Sequence, residues 1–382
     1  MKQKISTKGL RTWIEIDTNA LGHNFKIFRK QIAPNTKLMS VVKSNAYGHG
    51  LVEFSREMER LGADWLGVDS ITEALRLRKE KIKIPILVLG HTLKDRIAEA
   101  AAKNISVTVS NWDILKACSL LSGFAKKKIK FHIKIDTGMG RQGFIPDEID
   151  KVCVFIKKYN LAKSFEGLYT HFAQAKNPSF PSATLIQMKE FNKVRAALAL
   201  YGNKPILHTA ATSGAILFPE THCDMVRIGI GMYGLWPSKE VKLFYESRAR
   251  LKPILSWKTI IGEVRRLKKG DGVGYDHTEC LYRNSILAVC PVGYWHGYPR
   301  VLSSIGHALV RGRIARVIGR VSMDMLVLDI TDIANVSSGD EVVLIGCQKK
   351  GLISADDMAD ISDTINYEIV TRINPLIHRI YL

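Results

Sequence analysis

Leu38-Met39-Ser40-Val41-Val42-Lys43-Ser44-Asn45-Ala46-Tyr47-Gly48-His49-Gly50 is the stretch on which the reading turns. An apolar run over 38–42 ends on a lysine. The loop behind it holds an aromatic, two glycines and a histidine. A strand that stops on lysine sets an amine at the rim of a sheet, where a pocket can form. Burial or neighbouring cations make such an amine easier to deprotonate and let it form a Schiff base. A single lysine closing a strand is otherwise just a solvated side chain, so its meaning depends on what else reaches the same rim.

Strand-like apolar runs fall at 38–43, 65–68, 86–89, 105–109, 129–135, 165–171, 206–208 and 225–228. Helical patterns separate most of them: 51–61, 70–79 with a Ser70-x-x-Glu73 capping box, 111–121, 184–201, and a short one near 213–217. Ahead of them, Trp13-Ile14-Glu15-Ile16-Asp17 alternates like a strand. Asp17 or Thr18 can cap the helix that follows, with Leu21, Phe25 and Phe28 on one face. Eight strands joined by helices pair in parallel through right-handed crossovers. They either close into a barrel or form an open doubly wound sheet. Polar residues cluster where strands end: Lys43 on the first, Lys134 and Asp136 on the fifth, His171 on the sixth, His208 on the seventh, Arg227 on the eighth. Barrels build active sites at that face, so a (β/α)8 TIM-like barrel is expected over 1–245.

Beyond about residue 245 the texture changes. Short strand-like runs at 256–267, 286–290, 308–310, 315–318, 326–330 and 342–345 alternate with turns such as Lys269-Gly270-Asp271-Gly272 and Ser338-Gly339-Asp340. A smaller, mostly β domain is expected over 246–382, helical only near 355–370. The strand near 12–17 is a candidate to pack with it. Two stretches fit G-x-G-x-x-G, 138–143 and 229–234, but neither opens a helix, which disfavours a dinucleotide site. A phosphate cradle or a tight turn remains for each, and Gly229-Ile230-Gly231 can present backbone N–H groups to a phosphate. Tyr275 stands in the glycine-rich turn Gly272-Val273-Gly274-Tyr275 and Tyr367 in Ile365-Asn366-Tyr367-Glu368. Taken singly, each reads as a packed aromatic.

With 56 basic and 36 acidic residues the formal charge is 56 − 36 = +20. Such a charge attracts nucleic acid, anionic membrane and phosphorylated ligands alike. The lysines are scattered apart from 126–128, and no arginine-rich arm interleaves with aromatics, so specific nucleic-acid binding is not expected. Six distant cysteines without a C-x-x-C pair argue against a metal site, redox work or a disulfide framework, and for a reducing compartment. Residues 1–8 are polar with no apolar h-region, so no signal peptide is read. No run is long enough to span a bilayer. The expected setting is the cytoplasm.

These motifs, in this order from about Trp13 to the C-terminus, resemble the alanine racemases, barrel-type pyridoxal-phosphate enzymes that work as homodimers. The resemblance implies pyridoxal 5'-phosphate as cofactor and Lys43 as the Schiff-base lysine. It implies that Tyr47, Ser213, Gly229, Ile230 and Tyr367 hold the cofactor phosphate. Arg227 matches the arginine facing the pyridine nitrogen, and His171 the histidine supporting that arginine and the catalytic tyrosine. Arg141 matches the arginine near the substrate carboxylate, and Lys134 a candidate for carbamylation that steadies it. Tyr275 matches the second catalytic base, supplied by the partner subunit. Met323 and Asp324 match the pair lining the substrate side. Two residues depart from the family's pattern: Thr212 stands where Asn is common, and His296, in Gly293-Tyr294-Trp295-His296-Gly297-Tyr298, where Asp is usual.

The implied activity is interconversion of L- and D-alanine, providing D-alanine for peptidoglycan. Racemisation removes a proton from one face of Cα and returns one on the other, which two opposed bases achieve simply. Cations such as Arg141 or Arg227 favour a neutral amine and a phenolate. An arginine beside the pyridine nitrogen, donor-only and always charged, disfavours a proton there and limits side reactions. The alternatives are a racemase of broader range, for example acting on serine, and a non-catalytic basic binding protein. A barrel-type decarboxylase tends to use a cysteine where this chain has Tyr275.

Overall fold

The computed structural model describes residues 7–202 and 204–382. Residues 1–6 of the polar stretch read as lacking a signal peptide lie outside them. The chain divides into two compact units. Ala20–Ala46 and Leu51–Pro253 form one, and the residues up to Asn19, Tyr47–Gly50 and Ile254–Leu382 form the other.

Strand β1 (Thr12–Ile16) belongs to the second unit. The first unit holds β2 (Lys37–Val41), β3 (Trp65–Val68), β4 (Ile86–Val88), β5 (Ser106–Val109), β6 (Phe131–Lys134), β7 (Phe165–Tyr169), β8 (Ile206–His208) and β9 (Met225–Ile228). Their order is β8-β7-β6-β5-β4-β3-β2-β9. Every pairing is parallel. The remaining seam, β8 to β9, is closed by a single bridge between Ala211 and Arg227, with Arg227 N donating to Ala210 O at 2.9 Å. That seam excludes the open doubly wound sheet. Strands covered on both faces read as continuous apolar runs, and all of β3 and β5 is buried. Met39, Trp65, Leu87 and Met225 fill part of the interior as one cluster.

Local signals start the helices. Ser70 and Glu73 form the expected capping box ahead of Ile71–Lys79. Asn111 accepts from Ile114 N at 3.0 Å to begin Trp112–Leu120. The predicted 184–201 helix runs over Ser182–Leu200.

The second unit is built on a ten-stranded sheet. β1 lies antiparallel to Leu255–Ile260 and parallel to His378–Tyr381, so the first strand pairs with strands from the end of the chain. The 256–267 run is two strands, Leu255–Ile260 and Glu263–Leu267, not one. Ile261 and Gly262 separate them, and Gly262 N turns to Val289 O. The 355–370 region folds as two short helices, Ala355–Ile361 and Asn366–Thr371. Among the described residues no helix is long and apolar enough to cross a membrane.

Gly231 shows how tightly the 229–234 turn is packed. A Cβ there would lie 2.4 Å from the Phe28 ring and 2.8 Å from Thr212 Cγ2. Gly231→Ala should therefore destabilise by about 1–3 kcal/mol. Gly22, inside the helix Thr18–Gln31, would place its Cβ 3.8 Å from Leu61, an ordinary contact. Gly22→Ala should instead stabilise by about 0.5–1 kcal/mol. Urea unfolding of both variants checks the opposite signs.

Candidate active site

Strand β2 ends at Val41, not at the lysine. Lys43 opens a left-handed turn in which Ser44, Asn45, Ala46 and Tyr47 have φ of 55, 56, 51 and 51°. Asn45 anchors the turn: its N–H donates to Glu73 Oε1 at 3.3 Å and its Oδ1 accepts from Leu51 N at 3.0 Å. Lys43 Nζ lies 3.7 Å from Asp69 Oδ1, with both side chains about half exposed. Asp69 was not singled out from the sequence.

Arg227 is buried, and among the described residues no carboxylate pairs with it. Nη1 donates to His208 O at 2.8 Å and contacts His208 Nδ1 at 3.1 Å. Nη2 donates to Thr170 O at 2.8 Å and Thr209 O at 2.9 Å, and lies 3.3 Å from His171 Nδ1. The guanidinium sits over the Tyr169 ring, 5.2 Å from its centroid. Nε has no partner among the described residues. Burial brings this guanidinium down to about 10. A guanidinium only donates, so His171 Nδ1 must accept, and the ring is neutral. Burial first, then the charges of Arg227, Arg141, Lys134 and Lys43, hold His171 down at about 3.

The 138–143 glycine stretch is a tight turn, not a phosphate cradle. Its amides are used by Asp136: Oδ1 accepts from Gly138, Met139 and Gly140 at 3.0, 2.7 and 3.1 Å, and Oδ2 from Arg141 at 2.8 Å. Burial works against the Asp136 charge, but these four amides outweigh it and keep the carboxyl below its ordinary range. Asp136 thereby shapes the loop that carries Arg141. Lys134 is buried and donates to Gln142 O. Burial, with Arg141 and Arg227 adding to it and Asp136 opposing, brings Lys134 down to about 8.

Thr212, Ser213, Gly229 and Ile230 sit together after β8 and β9. Thr212 Oγ1 accepts from Gly229 N at 3.1 Å. Among the described residues the Ser213 hydroxyl and the Ile230 amide have no partner. Thr212 therefore orders the turn, a role the sequence did not reveal.

In the second unit, the Tyr47 and Tyr367 rings lie 6.1 Å apart. Burial pushes Tyr47 up to about 12, and pushes Tyr367 up further with help from Tyr47, so both phenols remain donors. Tyr47–Gly50 is pinned there: Arg379 donates to Gly48 O at 2.9 Å and Tyr381 to His49 O at 2.9 Å. Met323 is 52% exposed, and its carbonyl accepts from Trp295 N at 2.9 Å. Asp324 follows it. His296 is buried and its Nδ1 accepts from Gly293 N at 3.2 Å. His296 thereby ties its own turn together. Tyr275 is 68% exposed and precedes Asp276 in a turn that carries a 3.1 Å Asp276–Arg320 ion pair.

Comparison with known proteins follows the same division. Residues 16–237 match the family model described as alanine racemase, N-terminal domain, and 254–381 that of the alanine racemase C-terminal domain. The chain is 39% identical over 376 residues to an alanine racemase of Desulforamulus reducens, covering 97% of this chain and 98% of the relative. It resembles the crystal structure of alanine racemase from Bacillus anthracis with bound L-Ala-P, with a TM-score of 0.91, 34% identity, and 99% and 96% of the two chains covered. It also resembles the alanine racemase of Bartonella henselae with covalently bound pyridoxal phosphate, with a TM-score of 0.85, 27% identity, and 97% and 99% covered.

His171 gives a pH test. Its folded value of about 3 lies below the ordinary histidine value. Between the two, the unfolded chain binds a proton that the folded chain does not, so its contribution to stability is lost as the pH falls through that window. His171→Gln should flatten the slope of unfolding free energy against pH between about 4 and about 6.5, measured by urea titration. An unchanged slope would contradict the assignment.

Proposed function

The chain belongs to the alanine racemase family, a family of isomerases, and on that premise we propose how its residues interconvert L- and D-alanine. One observation carries the reading. Lys43, Lys134, Arg141 and Arg227 all bear on a neutral His171 at the barrel mouth, while Arg227 Nε, the Ser213 hydroxyl and the Ile230 amide have no partner among the described residues. Such a mouth suits two anionic groups, a phosphate and a substrate carboxylate.

Pyridoxal 5'-phosphate fits these donors. Lys43 would hold it covalently. Ser213, Gly229, Ile230, Tyr47 and Tyr367 would hold its phosphate, with Thr212 fixing the Gly229 amide. Arg227 would meet the pyridine nitrogen through a donor and keep a proton off it. When bound, the cofactor supplies an electron-poor ring that spreads the charge left at Cα.

Arg141 binds the substrate carboxylate, and Met323 and Asp324 line the substrate side. Lys43 Nζ and Tyr275 Oη move the proton at opposite faces of Cα. His171, neutral with its proton on Nε2, offers that N–H to the tyrosine. Tyr275 is exposed in the single chain, which supports its delivery to the site of a second copy in a homodimer, by the 246–382 domain. Lys134, brought down to about 8, has a neutral fraction able to attack carbon dioxide. A nitrogen–carbon bond forms, the amine gives up a proton to solvent, and the carbamate produced carries a negative charge beside Arg141. Six free thiols accord with a cytoplasmic setting, where D-alanine would feed peptidoglycan synthesis.

Loss of optical rotation from L-alanine, with L-serine, L-lysine and L-arginine as comparators, tests the activity. Lys43→Ala should abolish both turnover and the visible absorbance of protein-bound cofactor. Tyr275→Phe should lower kcat in both directions by roughly 10²–10⁴ while cofactor stays bound. Full activity of that variant in both directions would refute the two-base assignment. For Lys134, ¹³C-bicarbonate should give a carbamate carbon resonance in the wild type that is missing from Lys134→Ala.

A further inference from the structure

Behind Arg227 a line of buried polar groups runs through the barrel interior to the N-terminal ends of the strands. His208 Nδ1 is 3.1 Å from Arg227 Nη1. His208 Nε2 is 2.8 Å from His132 Nδ1. His132 Nε2 faces Glu166 Oε2 at 3.4 Å, an electrostatic contact without hydrogen-bond geometry. Glu166 also accepts from Ser106 Oγ and pairs with Lys130 at 3.0 Å. Both imidazoles are fully buried. His208 stacks on Tyr169 at 4.7 Å, and His132 meets the Trp65 ring edge-on at 5.3 Å. Gly167 makes room for the line: a Cβ there would lie 2.1 Å from His132 Nδ1.

The two ends dictate the protons between them. A guanidinium only donates, so His208 Nδ1 accepts. A neutral His208 then carries its proton on Nε2 and gives it to His132 Nδ1. His132 in turn carries its proton on Nε2, facing a carboxylate that only accepts. Burial lowers both histidines, in keeping with neutral rings. Burial alone would raise Glu166, yet His132, Ser106 and Lys130 hold it down at about 2, so the acceptor end stays ionised.

We propose that Glu166 is a positioning residue for Arg227: through His132 and His208 it fixes one direction of hydrogen bonding and so holds the guanidinium with Nε toward the site. This rests on the reading of Arg227 as the group facing the cofactor ring. Without Glu166 the His132 Nε2–H faces no negative charge in a dry interior, and the reversed tautomers gain population. Reversal turns a His208 N–H against the guanidinium, donor against donor, and Arg227 loses its hold.

The test begins without cofactor, on protein labelled with ¹⁵N-histidine. In the wild type, His132 and His208 should each show a single neutral form protonated at Nε2. Glu166→Ala should add a second form protonated at Nδ1. Glu166→Gln, whose amide oxygen keeps a partial negative charge opposite His132 Nε2, should restore the single form. With pyridoxal phosphate bound, Glu166→Ala should change the visible circular dichroism of the cofactor and lower kcat about tenfold with KM nearly unchanged. Glu166→Gln should recover both. Reversed or charged rings in the wild type would overturn the proposal. So would ring-nitrogen signals and dichroism unmoved by Glu166→Ala. If Glu166→Ala does not fold, the wild-type tautomers and Glu166→Gln still decide it. A wild-type protein that gains no visible cofactor absorbance would refute the functional reading, while the cofactor-free spectra would still report on the relay.

Discussion

A buried guanidinium that pairs with no carboxylate among the described residues is the centre of the barrel unit. Taking such a charge out of water costs several kcal/mol unless its donors are satisfied. Arg227 meets the demand with carbonyl oxygens of Thr170, His208 and Thr209. Those carbonyls lie at the ends of β7 and β8, and Arg227 itself stands on β9. The β8–β9 seam has one backbone bridge, and Arg227 is one of its two residues. Arg227 therefore bridges the seam through its backbone and ties β9 to the ends of β7 and β8 through its side chain. A carboxylate in its place would bring acceptors to carbonyls, leaving buried groups of like polarity opposed.

A second constraint is backbone strain next to Lys43. Four successive non-glycine residues occupy the left-handed region, at roughly 1–2 kcal/mol each. Strain of this kind persists only where surrounding contacts over-determine it. Here Asn45 is held from both its amide and its side chain. Downstream, Gly48 has a φ of 84° and would place a Cβ 1.9 Å from Val370 O. Its carbonyl accepts two bonds from Arg379. The turn also changes partners: Ala46 groups with the barrel and Tyr47 with the β unit. An ordinary right-handed helical turn after Lys43 would direct Tyr47 elsewhere.

Much of this was legible in the residues. Eight apolar runs with polar C-terminal ends led to the barrel, because parallel strands are buried on both faces. Ser70 and Glu73 announced a helix start by their own chemistry. The left-handed turn was not legible, since Ser44, Asn45, Ala46 and Tyr47 have no shared preference for positive φ. Tertiary contacts impose it. The glycines at 138–143 misled in part: Asp136 followed by Gly138 and Gly140 was the mark of an Asx-type turn, and the amides serve that carboxylate. His132 and Glu166 gave no signal, because a polar residue inside a strand pattern does not say which distant side chain it will meet. The resemblance to the alanine racemases supplied roles for Tyr47, Tyr367 and Tyr275 that spacing alone did not.

The shifts at the barrel mouth share one electrostatic origin. Lys134, His171 and Arg227 are each driven towards the neutral form, by burial first and, for Lys134 and His171, by other cations as well. Asp136 spends its oxygens on backbone amides, and Asp69 is half exposed beside Lys43. The mouth is therefore short of negative charge while folded. An anion bound there offsets the shared field, so it shifts all three groups back towards their charged forms together. By linkage, a ligand at free concentration L that binds the folded chain alone stabilises it by RT ln(1 + L/Kd). A cationic mouth of this kind thus ties folding stability to whatever anion occupies it. The phenols follow the opposite logic: protonated Tyr47 and Tyr367 give hydrogen bonds without adding charge.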